Sequence, residues 1–154
     1  MKESLRPGLA HRHVYEMAAN KRVPDLYPES PLFLAMPGVF ATGFMVGLLE
    51  WGALETINPH LDPGEGSLGI DIRIDHTGAT LPGQTITVDV TVTAVQGRRI
   101  SFDVSAHDGI EVIGKGTHQR MVVPWDRFVA KVNQKAARAG VPALDWPPSG
   151  GPER

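Results

Sequence analysis

The chain has 154 residues, 42% of them hydrophobic and 21% charged, with a formal net charge of −2 and no cysteine. That length and balance fit one globular domain with a core of its own. They exclude disulfides and thiolate metal sites, and no Lys/Arg run marks a nucleic-acid stripe.

The opening residues MKESLRPGLAHRH contain no apolar signal stretch, and no apolar run is long enough to span a bilayer, so the expected address is cytoplasmic, away from any membrane. Residues 1–10, broken by Pro7 and Gly8, read as a flexible lead-in. His11–Met17 alternates and reads as an opening edge strand. Residues 20–38 carry four prolines, which excludes one regular helix or strand. With Leu26, Tyr27, Leu32, Phe33 and Met36 among them, the segment 23–39 reads as an apolar lid over a pocket.

A helix is expected from Phe40 or Thr42 to Ile57, ended by Asn58-Pro59. It is apolar nearly all round, which predicts burial. Gly43 and Gly47 make a flat stripe for sheet backbone to approach. Glu50 is the anomaly, because a carboxylate in an apolar helix needs a partner or a purpose. It is a candidate functional group; the alternatives are a narrow solvent-facing strip or a pair with an Arg.

After the turn at 62–66, four β-rich runs follow. Ser67–His76 alternates with Leu68, Ile70, Ile72 and Ile74 on one face. Thr85–Val95 alternates throughout. Arg99–His107 comes after a short turn, and Asp108-Gly109 signals a hairpin into Ile110–Val123. Such short connections force antiparallel neighbours. A polar helix over Asp126–Ala139 is capped by Gly140, and residues 140–154 are expected to be disordered. The fold class is α+β, with a long antiparallel sheet wrapped around a central apolar helix.

LYPESP (26–31), FATGFMVGLLEW (40–51), PGEGSLG (63–69), His76-Thr77, GRRISFDVSAHDG (97–109) and IGKGTHQR (113–120) together resemble the fluoroacetyl-CoA thioesterase-like family. The likeness spans residues from about 11 to 138 and implies a hotdog fold, here over 11–139 with its lid and C-terminal helix. It implies an acyl-CoA thioesterase acting on fluoroacetyl-CoA or a similar small acyl-CoA, paired as a homodimer with active sites at the interface. Coenzyme A is then part of the substrate, and no other cofactor is expected. Matched position by position, Thr42, Glu50 and His76 correspond to the family's catalytic trio. Gly69 corresponds to the glycine whose N–H holds the thioester oxygen, and Phe33 to an apolar lid residue. Met36 stands where the fluoroacetyl-specific pattern carries a second aromatic. A non-catalytic acyl-CoA-binding or sensing module is the alternative.

The residues make chemical sense of that pattern. Thioester hydrolysis needs an attacking group, a proton donor or base, and donors for the oxyanion. Glu50 suits attack on the carbonyl or activation of water. His76 suits proton exchange, with a core histidine bonded to a carbonyl as the alternative. Thr42 is equally an N-cap candidate, and Gly69 equally a bulge. Phe33, Met36 and Phe40 are expected to line the acyl pocket. Arg120 is a candidate for Glu50 or a CoA phosphate, or else a surface ion pair. Arg98, Arg99 and Lys115 are phosphate candidates or simply solvated. His60, His107 and His118 carry less weight. No metal site is expected, since His11 and His13 share a face but lack a further ligand.

Overall fold

Alternating strands joined by tight turns dictate most of the architecture. A computed structural model describes residues 1–147. The elements in chain order are β1 (Ala10–Glu16), two short helical turns α1 (Val23–Leu26) and α2 (Pro31–Leu34), α3 (Thr42–Ile57), β2 (Glu65–Ile74), β3 (Thr85–Gln96), β4 (Arg99–His107), β5 (Val112–Pro124) and α4 (Trp125–Ala139). One sheet runs in the order β1-β3-β4-β5-β2, antiparallel throughout. Gly97 and Gly109 take φ values of 59° and 91° in the turns flanking β4, a backbone region that glycine enters without a Cβ penalty.

The expected wrapping is present. Ile86, Val88, Val90 and Val92 of β3 and Ile100, Phe102, Val104 and Ala106 of β4 are all buried. They meet Met45, Leu49, Ala53 and Ile57, one stripe of α3 at four-residue spacing, each fully buried. Burying each large aliphatic or aromatic side chain contributes roughly 1.5–3 kcal/mol. This is the hotdog arrangement, with a long helix packed into a curled sheet.

Four sequence expectations need correction. First, α3 is not enclosed all round. Gly43, Gly47 and Trp51 form an exposed strip, because the five-stranded sheet curls around only the opposite side. Second, the close approach of helix to sheet falls at Gly52, where a Cβ would lie 2.9 Å from Val90; Gly43 faces Leu26 instead, and Gly47 meets nothing within 4 Å. Third, the lead-in is docked: Leu5 is buried, and Lys2 N–H donates to the His60 carbonyl and Gly8 N–H to the Val92 carbonyl, both at 2.9 Å. Fourth, a bulge at Gly69–Asp71 breaks the alternation of β2 and leaves Ile70 45% exposed.

The lid carries α1 and α2, and its two ends are clamped together: Val23 N–H donates to the Val39 carbonyl at 2.9 Å, and Arg22 bridges to Phe40. At the other end of the chain, Gly140 closes α4 in the left-handed conformation. Beyond it, Leu144 N–H donates to Asn133 Oδ1 at 2.7 Å, and the Trp146 ring lies 5.2 Å from Trp125. The rest of the tail expected to be disordered, 148–154, lies outside the described residues. Among the described residues no helix is long and apolar enough to cross a membrane.

Candidate active site

Thr42 is the first residue of α3, but it is not the cap. Ala41 occupies that position and offers no side-chain acceptor. The Thr42 hydroxyl instead meets His76 Nδ1 at 2.8 Å. His76 lies two residues past the end of β2, where the strand delivers it to the N-terminus of α3. Its ring stands edge-on to buried Phe40, with centroids 6.4 Å apart, and its Nε2 is buried with no hydrogen-bond partner. Burial pushes the His76 pKa below the ordinary imidazole value, against weaker opposing contributions from the Gly78 backbone and Asp75. The neutral form of the ring is therefore favoured, with one nitrogen oriented by Thr42 and the other buried without a partner.

Glu50 stands eight residues further along α3, about 12 Å by helical rise. Its expected dry burial does not occur, since the side chain is 35% exposed. It does have the Arg partner. Arg120 Nη1–H donates to Glu50 Oε1 at 3.1 Å. The guanidinium is itself buried and donates from Nε to Ser67 Oγ and from Nη2 to the Ser67 carbonyl, each at 2.9 Å. A surface ion pair is thereby ruled out for Arg120, which is only 4% exposed.

His118, given little weight from the sequence, completes this cluster. Its Nδ1 lies 2.8 Å from the Asp71 carbonyl, which can only accept, so Nδ1 carries the proton. Burial, together with nearby Arg120, lowers its pKa, so Nε2 is a bare acceptor that receives Arg120 Nη1–H at 3.3 Å. The 3.7 Å separation between His118 Nε2 and Glu50 Oε1 is thus no ion pair but two acceptors sharing one guanidinium. The signal that was available is the alternation of His118 and Arg120 on β5, which aims both side chains inward.

Gly69 is the strand residue against which Glu50 rests: an added Cβ would lie 2.2 Å from Glu50 Oε1. Glu50, Gly69, His118, Val46 and Ile72 line a cavity of about 370 Å³. A second, apolar cavity of about 250 Å³ runs along the exposed face of α3 between Phe40, Gly43, Phe44 and Trp51. Phe40 lines that cavity, whereas Phe33 packs on Tyr27 (5.3 Å between centroids) and Met36 is half-exposed on the lid. The structure therefore pairs Thr42 with His76, and Glu50 with Gly69 and Arg120, as two separate halves within one chain.

Of the remaining candidates, Arg98 pairs with Glu65 at 2.9 Å, while Arg99 and Lys115 are exposed. His60 meets Ser4 at 2.8 Å, and His107 accepts from Gly109 N–H at 2.9 Å. His11 and His13 do have a third group beside them, Glu55 of α3.

Residues 31–126 match the family model described as fluoroacetyl-CoA-specific thioesterase. The chain belongs to this family. It is 52% identical over 135 residues to the fluoroacetyl-CoA thioesterase of Streptantibioticus cattleyicolor, covering 88% of this chain and 97% of that one. A solved structure of the fluoroacetyl-CoA thioesterase FlK superposes with a TM-score of 0.83 at 52% identity, covering 85% of this chain and 97% of that one. A mutant of FlK in complex with acetyl-CoA superposes at 0.84 and 51%, covering 85% and 98%. A Thermus thermophilus protein of the thioesterase superfamily shares the fold at 22% identity, with a TM-score of 0.78 over 87% and 95% of the two chains.

Proposed function

We propose that this member of the fluoroacetyl-CoA thioesterase family hydrolyses a short acyl-CoA, fluoroacetyl-CoA or a similarly small thioester, to the free acid and coenzyme A. One observation carries the reading. A carboxylate is held at the wall of a cavity by a buried guanidinium and lies against a glycine that leaves no side chain between it and a ligand. Glu50 supplies the attack, either on the thioester carbonyl or through a water from which it takes a proton. His76, neutral and oriented by Thr42, accepts the proton released from the attacking water and passes it to the departing thiolate. The Gly69 N–H and the uncapped first turn of α3 are donors suited to the developing oxyanion. The scheme uses no cofactor beyond the CoA of the substrate, and a cytoplasmic setting accords with it.

About two turns of α3 separate Glu50 from Thr42, to which His76 is bonded, a wide span for two groups serving one thioester carbon within a single chain. We therefore infer a homodimer in which Glu50 of one protomer faces Thr42 and His76 of its partner. The open edge of β2, with Ile70 exposed, and the uncovered Gly43–Gly47–Trp51 strip support such a pairing.

Thiol release from acetyl-CoA tests both parts. Glu50→Gln is expected to lose about 10²–10⁴ in kcat with the fold intact; unchanged turnover rejects Glu50. Mixing and refolding Glu50→Gln with His76→Ala restores about a quarter of wild-type activity if the halves combine across a dimer, because half the dimers are mixed and each holds one complete site. No recovery places the site within one chain.

A further inference from the structure

We propose that His11, His13 and Glu55 form a binding site for one divalent transition-metal ion, with Zn²⁺ the best-suited, that ties the N-terminal edge strand to the central helix. His11 and His13 are two apart on β1, so their side chains project to the same face, toward α3. There a single carboxylate oxygen, Glu55 Oε2, lies 2.7 Å from His11 Nε2 and 3.0 Å from His13 Nδ1. All three donor atoms fall within 4.8 Å of one another. Two imidazoles and a carboxylate are a donor set that borderline divalent ions prefer.

The geometry needs little change to accept an ion. Bonds of roughly 2.0–2.1 Å at tetrahedral angles set neighbouring donors about 3.4 Å apart. The two contacts to Glu55 would open by about 0.7 and 0.4 Å to reach that spacing, and the two imidazole nitrogens, already within 4.8 Å, would adjust by side-chain torsion. His13 is the fixed member: its side chain is 10% exposed, and its ring lies 4.5 Å from that of Trp51. Its Nε2 is buried without a partner, so Nδ1 is the nitrogen left to serve as a donor. His11 and Glu55 are 37% and 36% exposed, which leaves the fourth position to water. Arg12, between the histidines, projects to the other face and pairs with Asp89 at 2.6 Å, so it does not compete for the Glu55 carboxylate.

This site is separate from the thioesterase centre. Five residues separate Glu55 from Glu50, which places it about 140° round the helix. Its role is structural: among the described residues β1 pairs only with β3, and a metal bridge anchors it directly to α3.

The test is metal titration of chelator-stripped full-length protein by calorimetry, with Co²⁺ absorption as a second probe. One Zn²⁺ per chain is expected, with visible tetrahedral Co²⁺ bands and a higher melting temperature on Zn²⁺ addition. His11→Ala and Glu55→Gln, both at half-exposed positions and checked for fold by circular dichroism, are each expected to weaken Zn²⁺ at least tenfold and to abolish the melting shift. His60→Ala is expected to retain both. Absence of saturable binding to wild type, or binding that both variants leave unchanged, overturns the proposal and reduces the cluster to an ion-paired triad. Thiol release is not the readout, so failure here leaves the hydrolase reading untouched.

Discussion

Gly69→Ala isolates the placement of the Glu50 carboxylate, because it adds one methyl and leaves the backbone N–H in place. The new Cβ would sit 2.2 Å from Glu50 Oε1 and 3.3 Å from His118 Cε1. A carbon and an oxygen that are not bonded settle beyond about 3.2 Å, so the carboxylate must withdraw by about 1 Å. His118 is buried and already in close contact with the methyl, so the end of the partly exposed Glu50 side chain is what moves, and its 3.1 Å bond from Arg120 stretches or breaks. If Glu50 is the attacking group as proposed, a displacement of that size lowers turnover by about 10²-fold, equivalent to about 2.7 kcal/mol in the barrier. The fold is expected to survive. Alanine in a strand gains about 0.5–1 kcal/mol over glycine in chain entropy, which offsets part of the weakened charge-assisted bond. Initial rates of thiol release from acetyl-CoA and fluoroacetyl-CoA, read beside a melting curve, provide the assay. A variant that keeps more than a third of wild-type kcat/KM refutes the claim that Glu50 works from the position it occupies against Gly69.

Three further outcomes follow from the same geometry. Arg120→Met removes the donor shared by Glu50, His118 and Ser67; it is expected to destabilise the fold by about 3 kcal/mol in urea titration, the scale of breaking a buried charged network, and to cut kcat, whereas wild-type stability would show the network to be incidental. Acidification is expected to destabilise the protein from about pH 6.5 downward: His76 and His118 have folded pKa values below the free imidazole value, so the unfolded chain takes up protons first and stability is lost as pH falls toward the folded values. Urea midpoints between pH 8 and pH 5 measure this, and a midpoint that rises on acidification contradicts it. Met36, flexible and half-exposed on the lid, is expected to give a permissive acyl site, so rates on acetyl-, fluoroacetyl- and butyryl-CoA should lie within a hundredfold; a larger preference for fluoroacetyl rejects the idea.

Much of this protein is local in origin and therefore legible in its sequence. Period-two alternation and glycine turns specified β3, β4 and β5, and a mostly apolar run ended by Asn58-Pro59 specified α3, because these signals depend on neighbours a few residues away. Glu50 and His76 were visible because each sits in an unusual local context, an acid in an apolar helix and a histidine at the end of an alternating strand. Tertiary structure decided the rest, since it depends on residues far apart in the chain. The bulge at Gly69–Asp71, the buried Arg120–Ser67–His118 support beneath Glu50, the Thr42–His76 contact and the meeting of Glu55 with His11 and His13 each join partners more than thirty residues apart or depend on how β2 fits against β5. Which side of α3 stays open was equally beyond periodicity, because a helix that is apolar all round carries no mark of where the sheet will stop.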